Sequence, residues 1–402
     1  MPSVTVSGGH GLTLRLQYDS AANADLARSL AATIDKAIAN GSMLTATNVT
    51  LAPTLPAGKV GEVVRTAPGV TILNAQTAAV VITGPSATII DGGSRNQIVL
   101  SGSSNLTYLA HGGSGEIVEG GGALTFIAPN TGAGNWDIHS GRGNDLIVTG
   151  SGNDTIDAGG GHNLMVLGSG ANIVTSEGHD TIKGGSGSAT VATSKGGDLI
   201  SGGSGDMTFI GGEHASTVSG GAGSVTVFGG EGSGLFRGGS AGHNLIYAGT
   251  GRATLIGGGN GDQLFAEGEK DQILRAGSGN ETLDGSLSSG RVAFHAGSGA
   301  DSVALGLGKD TVFMGSGNTT VNAGFGKALA VFIKGGAGGA DVLQNFTPDQ
   351  GAKVDLDGYG SHEVANAIRT QHSAGGSTTI KLSDNTKITF TDVGHIDKSF
   401  FV

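Results

Sequence analysis

The 402-residue chain contains no cysteine, which excludes a disulfide scaffold, a thiol nucleophile, zinc fingers and iron–sulfur sites. It has only 7 prolines, and its glycines do not fall at every third position, so a collagen triple helix is excluded. Charged residues make up only 14%, and the formal net charge of −11 argues against nucleic acid as a partner. No apolar run approaches the roughly 18 residues of a membrane helix, so no membrane insertion is expected.

Glycine, by contrast, is abundant, with 78 residues. From Ser140 to about Asn322, glycine and apolar residues recur together every nine residues, with single-residue insertions and deletions. The eighth position of each repeat is apolar: Ile147, Ile156, Met165, Val174, Ile182, Val191, Ile200, Phe209, Val218, Val227, Phe236, Ile246, Leu255, Leu264, Ile273, Leu283, Val292, Val303, Val312 and Val321. Self-similarity at a fixed short period indicates a stacked repeat architecture.

Each repeat is predicted to form a glycine-rich turn and a short strand with one inward side chain. Two repeats close one coil of about 18 residues, and coils stack at about 4.8 Å, the spacing of hydrogen-bonded strands. A single repeat cannot bury its apolar residue, whereas a stack of repeats forms a continuous thin core. We therefore predict an all-β fold, a parallel β-roll or β-solenoid, with a small N-terminal α/β cap and a β-rich C-terminal cap.

Four segments are expected along the chain. Residues 1–65 form an N-terminal capping or docking segment, with strands at Ser3–Ser7 and Leu12–Leu16. A helix over 21–39, with its N-terminal cap at Asp19/Ser20, covers an open edge. Residues 66–139 form a degenerate solenoid, and residues 140–340 form the glycine-rich roll. The apolar pairs of the degenerate segment centre near Ile72, Val81, Ile89, Ile98, Leu106, Ile117 and Phe126.

The C-terminal segment, residues 341–402, leaves the nine-residue period and is predicted to form a cap. It suggests a short helix near 361–371 and a hairpin that turns at Asp384-Asn385.

Four loops come close to the pattern Gly-Gly-x-Gly-x-Asp-x-apolar-x, namely GRGNDLIV (141–148), GSGNDTID (150–157), AGSGADSVA (296–304) and LGLGKDTVF (305–313). On these loops the chain resembles the RTX family of calcium-binding β-roll proteins. The segment DVLQNFTPDQGAKVDLDGYG (341–360) is similar to the one that follows the roll in serralysin-like proteins, and the end, DKSFFV (397–402), resembles a type I export signal. The resemblance implies Ca²⁺ as the cofactor and a secreted, extracellular or cell-surface location in a bacterium.

The resemblance also implies which residues hold calcium. Ca²⁺ takes six or more oxygen ligands, which turn carbonyls and Asp carboxylates of two stacked loops can supply. Successive repeats alternate between the two sides of the roll, so stacked loops lie about 18 residues apart. The expected metal-site residues are Gly143, Asp145, Gly152, Asp154, Asn163, Asp180, Asp198, Asp262, Asp271, Glu281, Gly299, Asp301, Gly308 and Asp310.

We expect two calcium clusters, one along 143–198 on one edge and one along 259–301 on the opposite edge, with Asp310 as a candidate extension. The stretch from about 205 to 256 should be free of calcium. The alternative is that these acids only cap turns.

Three functions remain open from the sequence. The first is a secreted structural protein that assembles with itself into an extracellular matrix, filament or surface layer of the biofilm type. The second is an adhesin or polysaccharide-binding module, and the third is a β-helix enzyme acting on acidic polysaccharide. No HExxH motif occurs, and the acids sit at turn positions that the repeat explains, so the enzyme is the least favoured of the three. The expected partners are the protein itself and a polysaccharide or cell surface.

Overall fold

The computed structural model describes residues 1–92, 96–132 and 134–402, and it divides into two compact units, Met1–Asp206 (unit 1) and Met207–Val402 (unit 2). Both units consist mainly of short parallel strands, which confirms the predicted all-β solenoid class. Among the described helices, none combines the length and apolar character that crossing a membrane requires.

Unit 1 contains one α-helix, α1 (Ala21–Ala39), and a short 3₁₀ helix, Gly9–Gly11. Its strands β1 to β19 are, in chain order, Ser3–Gly8, Leu12–Gln17, Met43–Thr47, Val60–Arg65, Val70–Ile72, Thr77–Ile82, Ser86–Ile90, Asn96–Ser101, Asn105–Leu109, Ser114–Val118, Leu124–Ile127, Trp136–His139, Leu146–Val148, Thr155–Asp157, Leu164–Val166, Asn172–Ser176, Thr181–Lys183, Ala189–Thr193 and Leu199–Ser201.

Apart from β1 and β2, the strands of unit 1 form two parallel sheets on opposite walls of the solenoid. The first sheet contains β3, β4 and then the even-numbered strands to β18, and the second contains the odd-numbered strands from β5 to β19. The middle residue of each short strand points inward, and Ile147, Met165, Ile182 and Ile200 stack in register along the second sheet with no exposed surface. This inward column is the core that the repeat predicts.

The N-terminal module, defined as β1, β2 and α1, packs on the outer face of the first sheet. β1 and β2 form an antiparallel hairpin, and the Ser20 side chain caps α1 by accepting from the Asn23 N–H, as the sequence predicts. Small side chains on the buried face of α1 allow close approach to the strands. The module covers Val64, Val81, Leu100 and Val118, so it lies along several coils rather than over one open edge.

Unit 2 contains one α-helix, α2 (Glu363–Arg369), and short 3₁₀ helices at Pro348–Gln350 and Lys398–Phe400. Its strands β20 to β38 are, in chain order, Met207–Ile210, Ser216–Ser219, Val225–Phe228, Gly234–Arg237, Leu245–Tyr247, Ala253–Ile256, Gln263–Gly268, Gln272–Arg275, Thr282–Ser288, Val292–His295, Ala300–Ala304, Lys309–Phe313, Asn318–Asn322, Lys327–Ile333, Ala340–Gln344, Lys353–Asp357, His372–Ala374, Ser377–Lys381 and Lys387–Phe390.

Unit 2 repeats the two-sheet arrangement and ends in an antiparallel cap. Its first sheet contains the even-numbered strands from β20 to β34, and its second contains the odd-numbered strands from β21 to β35. Parallel pairing therefore continues to Asp357, beyond position 340, where the sequence suggests that the roll ends. β38 adds in parallel to β34, and the predicted hairpin β37–β38 turns through Asn385, which has a φ of 76°. Phe401 bridges to Val354 at the end of the second sheet.

One predicted inward position is wrong, because Ile273 points outward and its neighbour Leu274 is the inward residue. At the predicted apolar pairs near Ile72, Val81 and Ile98, the inward residues are the neighbours Thr71, Val80 and Val99. Val81 and Ile98 are apolar because the N-terminal module packs on the outer face there. When both faces of a strand are covered, apolar alternation no longer indicates which face is inward.

Candidate metal centre

The first acidic row lies at the start of the short strands in the second sheet of unit 1, and it consists of Asp145, Asn163, Asp180 and Asp198. All four side chains are buried. Each reaches back one coil: Asp145 Oδ1 accepts from the Leu124 N–H at 2.7 Å, Asn163 Oδ1 from the Asp145 N–H at 2.9 Å, Asp180 Oδ1 from the Asn163 N–H at 2.7 Å and Asp198 Oδ1 from the Asp180 N–H at 3.0 Å. The predicted stacking of these residues on one side is confirmed.

The second carboxylate oxygens decide what this row can bind. Asp145 Oδ2 and Asp198 Oδ2 are buried and have no hydrogen-bond partner among the residues that the structure describes. Asp180 Oδ2 accepts from the Ser176 hydroxyl. Burial raises the pKa of Asp145 to about 6 and also raises the pKa of Asp180 and Asp198. Burial makes the ionised form of these carboxylates energetically unfavourable. A cation bound by the unused oxygens would offset this desolvation cost.

A shorter row lies at the corresponding position of the first sheet of unit 1. Asp154 Oδ1 accepts from the Trp136 N–H at 2.8 Å, and Asn172 Oδ1 accepts from the Asp154 N–H at 3.3 Å. The next coil places Ala189 there, which is buried and apolar. This side of unit 1 therefore offers one carboxylate, that of Asp154.

Unit 2 carries a second acidic row in its first sheet, formed by Asn244, Asp262, Glu281 and Asp301. Asp262 Oδ1 accepts from the Asn244 N–H and Asp301 Oδ1 from the Glu281 N–H, at 2.9 Å and 3.0 Å. The other oxygens of Asp262 and Asp301 accept from N–H groups of their own turns. Glu281 Oε2 is buried without a partner in the described chain, and burial together with the Asp301 carboxylate raises the pKa of Glu281 to about 7.

Asp310 and Asp271 do not belong to this second row. Asp310 lies in the second sheet of unit 2, where Oδ1 accepts from the Val292 N–H and Oδ2 from the Gly306 N–H. Asp271 is exposed, because the strand phase shifts by one residue and places Gln272 at the buried position. The Gln272 Nε2 donates to the carbonyls of Gly249, Gly251 and Glu267, so an uncharged side chain joins the loops here.

The four predicted glycines mark close contacts between stacked turns. A Cβ at Gly143 would lie 1.9 Å from the Gly122 carbonyl oxygen, and one at Gly299 would lie 1.7 Å from the Gly279 oxygen. Gly152 and Gly308 meet the preceding turn in the same way, at 2.1 Å and 1.9 Å. Glycine is needed so that turn carbonyls can lie directly beside the next coil.

Sequence reasoning missed several residues at these positions. Asn244 lies in GHNL (242–245), the same four letters that surround Asn163, so its signal was present. Asp341 occupies an equivalent position, where its Oδ1 accepts from the Thr319 N–H at 2.9 Å. The sequence does not indicate this position, because 22 residues separate Asp341 from Thr319 instead of about 18. Asp19 and Glu119 bring two further carboxylates near Asp145, and burial raises the pKa of Glu119 to about 9.

The donor set fits a hard cation such as calcium, which prefers carboxylate and carbonyl oxygens. The fit is best at the first acidic row, where three buried carboxylates stack and two of them keep an unused oxygen. Asp262, Asp301 and Asp310 use both oxygens on backbone N–H groups. At these three positions the carboxylates have the geometry of turn-capping side chains, which is the alternative to calcium binding.

Comparison with known proteins gives one family. A family model described as the RTX calcium-binding nonapeptide repeat (4 copies) matches residues 139–174, 174–206, 210–233, 238–273 and 293–321. These ranges contain the whole first acidic row, together with Asp262, Asp301 and Asp310. Proteins of this family bind Ca²⁺, which agrees with the cofactor expected from the loops. No curated protein and no solved structure matches the chain.

Proposed function

The chain is an RTX-type calcium-binding β-roll protein, and on this premise we propose that it is a secreted structural protein that assembles with itself outside the cell. The export route would be type I secretion, with the C-terminal segment as the signal. Calcium entering the acidic rows would complete folding after export, because metal binding to a site absent from the unfolded chain contributes directly to folding free energy.

An apolar ladder on the outer face of unit 2 supports the assembly proposal. Ile210, Phe228, Tyr247 and Phe265 are partners in register on β20, β22, β24 and β26. Ile210 and Phe228 are each 43% exposed. The Phe228 and Tyr247 rings stack at 5.3 Å between centroids, and the Tyr247 and Phe265 rings at 4.6 Å.

The shape of this ladder favours a protein partner over a sugar. Stacked rings cover each other's faces, and a sugar platform needs an exposed ring face. A regular apolar strip on strands instead suits lateral packing against another sheet, and exposed apolar strips commonly mark interaction surfaces. A second copy of this chain carries strands with the same spacing as the ladder, so a second copy is the partner that we propose.

The N-terminal segment is a weaker candidate for docking a neighbour. The N-terminal module packs on its own coils, and residues 43–47 and 60–65 supply strands of the first sheet. Removing residues 1–65 would therefore damage the solenoid itself, so assembly is better tested at the outer ladder.

The test compares the wild-type protein with a Phe228→Thr/Tyr247→Thr variant, using light scattering and electron microscopy over a range of protein and calcium concentrations. Threonine keeps β propensity and removes the rings. We expect ordered particles of the wild type in millimolar calcium and loss of them in the variant, with unchanged circular dichroism. A matched control, Leu164→Thr, changes an outward residue of unit 1 that is 38% exposed and should assemble normally.

A wild-type protein that remains monomeric at high concentration in millimolar calcium would overturn the assembly proposal. Saturable binding of polymeric sugars without assembly would instead support the adhesin alternative. Turnover of an acidic polysaccharide would support the enzyme alternative.

A further inference from the structure

The outer face of the first sheet in unit 1 changes character where it leaves the cover of the N-terminal module. One outward column runs in register from Val81 through Leu100 and Val118 to His139 and Asp157. The first three residues lie under the module, and the last two lie beyond it. The column therefore changes from aliphatic to titratable side chains, and His139 and Asp157 lie just beyond the edge of the module.

A neighbouring outward column changes in the same way. It runs from Ile98, which packs against the module, to Glu116 and Asp137. Three parallel strands, β10, β12 and β14, thus present two carboxylates, an imidazole and a third carboxylate to one patch of the outer face. The side chains come from fixed strand positions, which orient them more rigidly than loops would.

Glu116, Asp137 and His139 converge on one point. One ligand atom from each of the three residues lies within 4.8 Å of the others. The His139 Nε2 is 3.1 Å from Asp137 Oδ1, and the His139 Nδ1 on the opposite side of the ring is 3.7 Å from Asp157 Oδ2. All three converging residues are partly buried.

This arrangement has the features of a metal site with its supporting shell. A metal-bound histidine usually directs its other ring nitrogen to a carboxylate, which fixes the ring and raises its basicity. Asp157 lies on the Nδ1 side of the ring, and Nε2 faces the Asp137 carboxylate.

The cluster also borders a cleft of about 590 Å³ between α1 and the first sheet. Glu116 and Asp137 line one side of this cleft, and Leu30, Ile34 and Met43 line another. Three protein ligands leave at least one coordination position free, which water or a small anion in the cleft could fill.

We propose that Glu116, Asp137 and His139 bind a divalent first-row transition metal, with Asp157 holding the His139 ring in position. The imidazole nitrogen distinguishes this site from the all-oxygen acidic rows, because imidazole suits zinc and its neighbours whereas calcium takes oxygen ligands. The site lies on the outer face of the roll and is independent of the calcium bound in the turns.

The test uses the full chain in excess calcium, which saturates the acidic rows, and Zn²⁺ alone as the probe in isothermal titration calorimetry. We expect one Zn²⁺ per chain for the wild type. Asp157→Asn should weaken binding by about 10–100-fold, and His139→Ala should weaken it further. His162→Ala is the matched control, because His162 and His179 form the exposed stacked pair in the turns, with ring centroids 5.4 Å apart.

Four results would contradict the proposal and leave His139 and its acids as an ion-pair network. Equal zinc affinity of the wild type and His139→Ala would overturn the proposal, as would complete displacement of zinc by calcium. Should His139→Ala lose its fold by circular dichroism, Glu116→Gln and the absorption spectrum of the Co²⁺-loaded wild type decide instead. A spectrum lacking a nitrogen ligand, or an unchanged affinity of Glu116→Gln, would equally contradict it.

Discussion

Replacing Asp145 by asparagine should change stability in opposite directions with and without calcium. Asp145 is 3% exposed, its Oδ1 accepts from the Leu124 N–H, and its Oδ2 has no partner in the described chain. An amide oxygen can keep the bond to Leu124, as the Asn163 and Asn172 oxygens do with the N–H groups of their preceding coils. The substitution therefore removes one buried negative charge and little else.

The size of the effect follows from the cost of that charge. Burial raises the pKa of Asp145 from 3.8 to about 6, which corresponds to roughly 3 kcal/mol against folding at pH values above about 6. The new amide hydrogens offset part of the gain unless they find carbonyls, as the Asn163 amide does at Ala158 and Gly160. We expect Asp145→Asn to stabilise the calcium-free protein by about 1–3 kcal/mol.

With calcium we expect the sign to reverse, because the variant loses a charged ligand. Each tenfold loss of calcium affinity costs about 1.4 kcal/mol at saturating calcium, so affinity must fall by more than about 5- to 150-fold to outweigh the calcium-free gain of about 1–3 kcal/mol. The pH dependence has a defined sign as well. A raised pKa contributes stability below about pH 4 that is lost as the pH rises through about 6. The calcium-free wild type should therefore become more stable from about pH 7.5 to about pH 5, and Asp145→Asn should gain less.

The assay is urea unfolding followed by circular dichroism, in chelator and in millimolar calcium. Asp349→Asn, at an exposed acid outside the rows, is the matched control and should show no reversal. If Asp145→Asn destabilises the chelated protein, or leaves the calcium-loaded protein unchanged, the burial argument for the first acidic row is refuted.

Three further predictions concern packing and export. Gly168→Ala would place a Cβ 1.6 Å from the Gly150 carbonyl oxygen and should cost about 2–4 kcal/mol in urea unfolding, whereas Gly394→Ala has open space and should cost less than about 1 kcal/mol. Phe209→Ala empties the core and should cost about 3–5 kcal/mol, while its exposed neighbour Ile210 should tolerate alanine with a loss below about 1 kcal/mol; equal losses would contradict the inward assignment. Deleting residues 343–402 should retain the protein in the producing cell, as cell and medium fractions would show, and normal secretion would reduce this segment to a cap.

The amino-acid sequence alone determined the local features of this protein. The nine-residue period predicts the inward column from Ile147 to Leu264. Each short strand between two glycine-rich turns places an apolar residue at the same repeat position, and this residue faces the core. The helix Ala21–Ala39 and the hairpin around Asn385 also follow from local signals, namely a serine cap and a turn pair. The stacking of Asp145 with Asp180 follows from the period as well.

Tertiary structure decided what depends on distant partners. The sequence does not indicate that Val80 is the inward residue, because the N-terminal module also buries the outer face of that strand. The buried position of Gln272 depends on a one-residue shift in strand phase. Which carboxylates keep an unused oxygen depends on backbone N–H groups one coil away. The contact between Glu116 and His139 likewise depends on the register of β10 and β12. The repeat is degenerate in this segment, so its spacing does not predict which residues of the two strands lie side by side.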